Sequence, residues 1–103
     1  MKEIVVIGTT FLPTVSWVRE NRDMLDHESG GMFDPTRDLI STASVQHKMG
    51  GRRPDKIYVL DFEEWQPRSV LRAKDIFADL PDTEIHYITT KSISWDSRLA
   101  RRP

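Results

Sequence analysis

Ile4-Val5-Val6-Ile7 runs straight into Gly8-Thr9-Thr10, and the same form returns twice further along the chain. Ile57-Tyr58-Val59-Leu60 runs into Asp61-Phe62-Glu63-Glu64, and Ile85-His86-Tyr87-Ile88 runs into Thr89-Thr90-Lys91. Each apolar run is short and rich in β-formers, as in a strand covered on both faces. Helical stretches separate the three, so the strands are expected to lie parallel, joined by right-handed crossovers. Parallel strands bring their polar exits to one edge of the sheet, where open α/β sheets hold their ligands. The first run is the most apolar and is expected at the centre, which favours strand order 2-1-3 over 1-2-3. The expected fold class is α/β: a small three-stranded parallel sheet with flanking helices, a Rossmann-like or flavodoxin-like half.

Between the runs, helix signals set the connections. A first helix is expected from near Pro13 to near Asp26, because proline is tolerated where a helix begins. Val15, Trp17, Val18, Met24 and Leu25 form its ragged apolar face, with Trp17 on the sheet, and His27 to Gly31 read as a loop. Asp34-Pro35 predicts the N-cap and first residue of a second helix. Its inner stripe would be Leu39, Ile40, Ala43 and His47, ending at Gly50-Gly51. A third helix is expected from Pro67, with Val70, Ala73, Phe77 and Leu80 inside. His86 interrupts the last strand, as suits a less buried edge. These elements make one domain over residues 1–90. Residues 91–103 form a basic tail, in which Ser94 would cap a short helix that stacks Trp95 and Leu99.

Composition narrows the class. The chain has 103 residues, the size of one domain. Hydrophobic residues at 38% and a net charge of -1 are too apolar and too balanced for a disordered chain. The same balance gives no global pull toward nucleic acid or an anionic membrane, and neither is expected as a partner. Cysteine is absent, which excludes disulfides, thiolate zinc sites and a cysteine nucleophile. Small secreted domains usually need such staples, so a cytoplasmic location is expected. The opening apolar run is too short for a signal peptide or a membrane span.

Two groups of residues invite a functional reading. In the first, Gly8 lets the backbone turn closely past a ligand, and Thr9 and Thr10 offer hydroxyls to a phosphate. Asp61 and Thr89 would join them at the same edge, Asp61 holding a ribose hydroxyl or Mg²⁺. The chain has neither GxGxxG nor GK[ST], and a threonine-capped turn is the plainer reading of Gly8-Thr9-Thr10. Glu63 and Glu64 also suit the start of the following helix. His27, His47 and His86 have no metal-ligand spacing. Ser41, Ser44 and His47 are hydroxyls and a base that no spacing brings together. No catalytic residue, metal or cofactor is therefore assigned.

The second group is Trp65, Trp95, Leu99, Arg98, Arg101 and Arg102. Three tryptophans are many for a chain this short, and Trp65 and Trp95 lie in polar surroundings. Large apolar side chains left at a surface mark association, and open sheet edges invite it.

The stretch Gly51-Arg52-Arg53-Pro54-Asp55-Lys56-Ile57-Tyr58-Val59-Leu60, together with the opening Ile4 to Thr10, resembles small Rossmann-like accessory proteins of actinobacterial phages. The resemblance covers about half the chain and implies a role in modifying the host or in defence. It carries over no catalytic residue. The leading expectation is a non-enzymatic module that binds a host protein or a second copy of itself. The alternative is a nucleotide- or phosphate-binding domain built on Gly8, Thr9, Thr10, Asp61 and Thr89.

Overall fold

The β-branched run after Glu3 forms β1 (Ile4–Gly8), and every residue in it is buried. The structure, a computed structural model, describes residues 2–8, 11–61 and 80–89. Two helices follow β1: α1 (Phe11–Glu20) and α2 (Arg22–Ser29). The single helix expected here is divided at Asn21, whose side-chain amide donates to the Trp17 carbonyl at 2.8 Å. The second half runs on to Ser29 rather than stopping at Asp26. Gly30 then adopts the left-handed conformation (φ 66°), and its N–H reaches the carbonyls of Asp26 and His27. That is the glycine helix stop, at the first of the paired glycines, and the helix ends three residues beyond the expected Asp26.

The long second helix does not form. Asp34 caps as expected, accepting the Thr36 N–H at 3.0 Å. The helix it starts, α3 (Pro35–Asp38), lasts one turn. The Asp38 carboxylate folds back onto the Asp34 N–H at 2.9 Å and is gripped by Arg37 and Arg52 at 2.8 Å each. Leu39 then turns extended (φ -97°, ψ 111°) and opens a strand, β2 (Leu39–Ser41). A 3-10 turn (Thr42–Ser44) and α4 (Val45–Lys48) complete the segment. Of the expected inner stripe, Ile40 is fully buried, but Ala43 and His47 are exposed. The last two strands, β3 (Lys56–Asp61) and β4 (Glu84–Thr89), lie where the sequence placed them.

Among the described residues the sheet has four strands in the order β2-β1-β3-β4, and every adjacent pair is parallel. This corrects the expectation of three strands. It also corrects their order: the foreseen strands run first, second, third across the sheet, not 2-1-3. The first is still central, because β2 occupies its free side. The shared direction of the strands stands, and so does the edge position of β4, where Tyr87 is 43% exposed.

Side chains alternate across a strand, and two cores result. Ile4 and Val6 meet Trp17, Val18 and Leu25 of α1 and α2 on one face. Val5 and Ile7 meet Val45 and Met49, at and just beyond α4, on the other. Trp17 does pack on the sheet, 7% exposed and in tilted contact with Tyr58, ring centroids 5.3 Å apart and planes at 49°. No described helix is long and apolar enough to cross a membrane. The expected third helix, Trp65 and the tail 91–103 fall outside the described residues, apart from Leu80, which is buried in the second of these cores.

Candidate anion-binding site

Parallel pairing places Gly8, Ser41, Asp61 and Thr89 at the carboxyl ends of β1, β2, β3 and β4. Asp61 and Thr89 are register partners, and Gly8 pairs with Ser41 on one side and Leu60 on the other. The structure therefore brings three of the five sequence-proposed ligand residues to one edge. Thr9 and Thr10 lie outside the described residues.

At that edge a cavity of about 260 Å³ opens between β1 and β2. Gly8, Thr14, Val15, Leu39, Ile40, Ser41, Ser44 and Lys48 line it. It is displaced from the expected set, because Asp61 and Thr89 belong to strands on the opposite side of β1.

Gly8 is required here by close approach. A Cβ at this position would come within 2.8 Å of the Thr14 Cγ2 and closer still to its Oγ1. Thr14, in the first turns of α1, is 5% exposed, and its hydroxyl has no hydrogen-bond partner among the described residues. A buried hydroxyl left unpaired costs about 1–3 kcal/mol. Such a group in a cavity wall is a donor without an acceptor.

Two more hydroxyls stand at the end of β2. Ser41 Oγ and Ser44 Oγ are 2.7 Å apart, and Ser44 Oγ also lies 3.4 Å from the Ser41 carbonyl. The single Ser44 proton goes either to the Ser41 carbonyl or to Ser41 Oγ, and in the second case the Ser41 proton is left to donate outward. Lys48 adds an ammonium that makes no ion pair among the described residues. No Asp or Glu is among the described lining residues. The wall thus offers donors and one positive charge, and suits an anion.

The other polar clusters are already satisfied internally. A larger cavity of about 360 Å³ lies at the amino edge of β1, beside Lys2, Glu3, Arg37, Asp38 and Asp55. There Arg52 binds Glu3 at 2.7 Å and Asp38 at 2.8 Å, and Asp55 accepts the Glu3 N–H at 2.7 Å. Asp38 is 1% exposed. Burial pushes its carboxyl up, but hydrogen bonds from Arg37, the Asp34 N–H and Arg52 together outweigh this and hold it below the usual range.

On the α2 face, the Lys56 ammonium reaches Glu28 at 3.0 Å and lies 5.1 Å above the Tyr58 ring. The Tyr58 hydroxyl donates to the other Glu28 oxygen at 2.9 Å. His86 lies against Tyr58 with the two rings tilted, and pairs with Glu84. Burial disfavours the Lys56 charge, yet the hydrogen bonds with Tyr58 and Glu28 prevail and raise its pKa. Both clusters pair most of their charged groups with one another and tie distant segments of the chain together.

No family model, curated protein or solved structure matches this chain. The site therefore stands on its own geometry. Sequence reasoning missed Thr14 and Lys48 and left Ser41 and Ser44 unplaced. The long helix it expected over this segment would have separated Ser41 from the end of β1. The available signal was Leu39-Ile40-Ser41-Thr42, a short apolar pair followed by hydroxyls, a small version of the pattern that marked the other three strands.

Proposed function

We propose that this chain is a Rossmann-like α/β domain that binds a small anionic ligand, a phosphoryl group first of all, at the carboxyl edge between β1 and β2. The observation that carries the reading is the buried, unpartnered Thr14 hydroxyl packed over Gly8 in a cavity that Ser41, Ser44 and Lys48 complete. The ligand class is the one expected from Gly8, while the set of groups moves toward β2. A phosphate offers three or four oxygens to converging donors, and charge-assisted bonds from an ammonium are the stronger kind.

A purely structural role and a binding role make opposite demands on Thr14. Thr14→Val keeps the shape and removes the unpaired hydroxyl. It is expected to raise the stability of the free protein by about 1 kcal/mol, measured by urea unfolding. It should also weaken inorganic phosphate several-fold in calorimetric titration. Lys48→Met should weaken phosphate by roughly 10-fold or more, the scale of a lost charged hydrogen bond, with little change in stability. Phosphate affinity unchanged in both variants, or no phosphate binding to the parent protein, overturns the reading.

The protein-interaction reading, with its phage-like resemblance, rests on Trp65, Trp95, Leu99, Arg98, Arg101 and Arg102. These lie outside the described residues. Its own test is the mass in solution and partner recovery of a Trp95→Ala, Leu99→Ala double variant. The reading expects both to fall, and unchanged values would contradict it.

A further inference from the structure

The cavity's dimensions and lining define its occupant more closely than charge alone. Its volume of about 260 Å³ lies below the roughly 300–1,000 Å³ of sites that enclose drug-sized ligands. Its polar groups come from Thr14, Ser41, Ser44 and Lys48, and the half-buried aliphatic side chains in its lining are Val15 and Leu39. A nucleobase is ordinarily held by an aromatic face or by side-chain amides and carboxylates, and a ribose by a carboxylate. The described lining residues include none of these. One ammonium with a few hydroxyls balances a single phosphoryl group. A triphosphate calls for more cationic charge, usually with Mg²⁺.

From these observations we infer that the pocket takes a compact phosphomonoester: one phosphoryl group on a short, largely apolar carbon body, and not a nucleotide. The phosphoryl group meets Ser41, Ser44 and Lys48, and the carbon body lies against Val15 and Leu39. Rotation of the Thr14 side chain lets its hydroxyl, sealed over Gly8 in the free protein, donate to an oxygen at the floor. The inference rests on the anion-site reading and adds size and an apolar wall to it.

Competition calorimetry on the full chain separates the two. The probes are inorganic phosphate, propionate, isobutyl phosphate, AMP and NAD. Isobutyl phosphate is expected to bind at least 10-fold tighter than inorganic phosphate. AMP and NAD should bind no tighter than inorganic phosphate. Replacing Val15 by Asn should remove most of the preference for isobutyl phosphate over inorganic phosphate. If isobutyl phosphate binds no tighter than phosphate, or AMP or NAD binds tightest, the phosphomonoester inference is overturned and the anion site survives. If propionate alone binds, the occupant is a carboxylate and the inference again falls. Failure of every anion to bind removes the anion site together with the inference.

Discussion

Asp38 shows most clearly how single side chains decide this structure. It is almost wholly buried, and four of its contacts are charged or backbone donors: two from Arg37, one from Arg52 and one from the Asp34 N–H. Removing one partner of a buried pair leaves the other charge uncompensated, at a cost of about 3–5 kcal/mol. Asp38→Asn is therefore expected to cost about 3 kcal/mol in urea unfolding, near the lower end because Arg52 keeps Glu3. A loss below about 0.5 kcal/mol would show the pairing to be incidental. The pH response follows from the direction of the shift. The folded-state pKa is depressed below the unfolded value, so the contribution is fully present above about pH 4, the unfolded range. It is lost as pH falls through the lower folded pKa. In Asp38→Asn this part of the acid destabilisation should disappear, and an unchanged acid profile would contradict the assignment. Gly8 has a plainer role. Gly8→Ala forces Thr14 off its seat and is expected to destabilise by about 1–3 kcal/mol.

Among the elements, β2 is the one the sequence concealed. Three residues are too few to display a period of two, and Asp34-Pro35 is a strong helix start. That signal was correct for one turn. What ended the helix was tertiary: Arg52, distant in sequence, anchors Asp38, and β1 offers a free side to Leu39. Local propensity carries no information about either. The strands β1, β3 and β4 were legible because each carries a short run rich in β-formers, buried in β1 and β3 and partly exposed on the edge strand β4. The same blindness hid the site, since Ser41 and Ser44 reach the edge of β1 only once β2 exists. The strand and helix readings of this segment differ in a measurable way. Ile40→Ala should cost about 2–4 kcal/mol, the range for a fully buried aliphatic side chain. Ala43→Ser, on the exposed 3-10 turn, should cost less than about 0.5 kcal/mol. Comparable losses at both positions would restore the helical stripe.

At the scale of the whole molecule, one parallel sheet sorts the chemistry between its two ends. The amino edge holds Glu3, Asp38, Arg52 and Asp55 in mutual pairs and closes the structure. The carboxyl edge collects the glycine exit of β1, the hydroxyls after β2 and the Lys48 ammonium, with donors to spare. The architecture thus separates an end whose carboxylates are paired from one with an unpartnered buried hydroxyl, and the proposed anion site lies at the second. Titrating inorganic phosphate into isotopically labelled protein and following the backbone amides by NMR tests this most directly. The account expects saturable shifts at Gly8, Thr14, Ser41, Ser44 and Lys48, with Glu3, Asp38 and Asp55 unmoved. Shifts centred on the amino edge, or none that saturate, would contradict it.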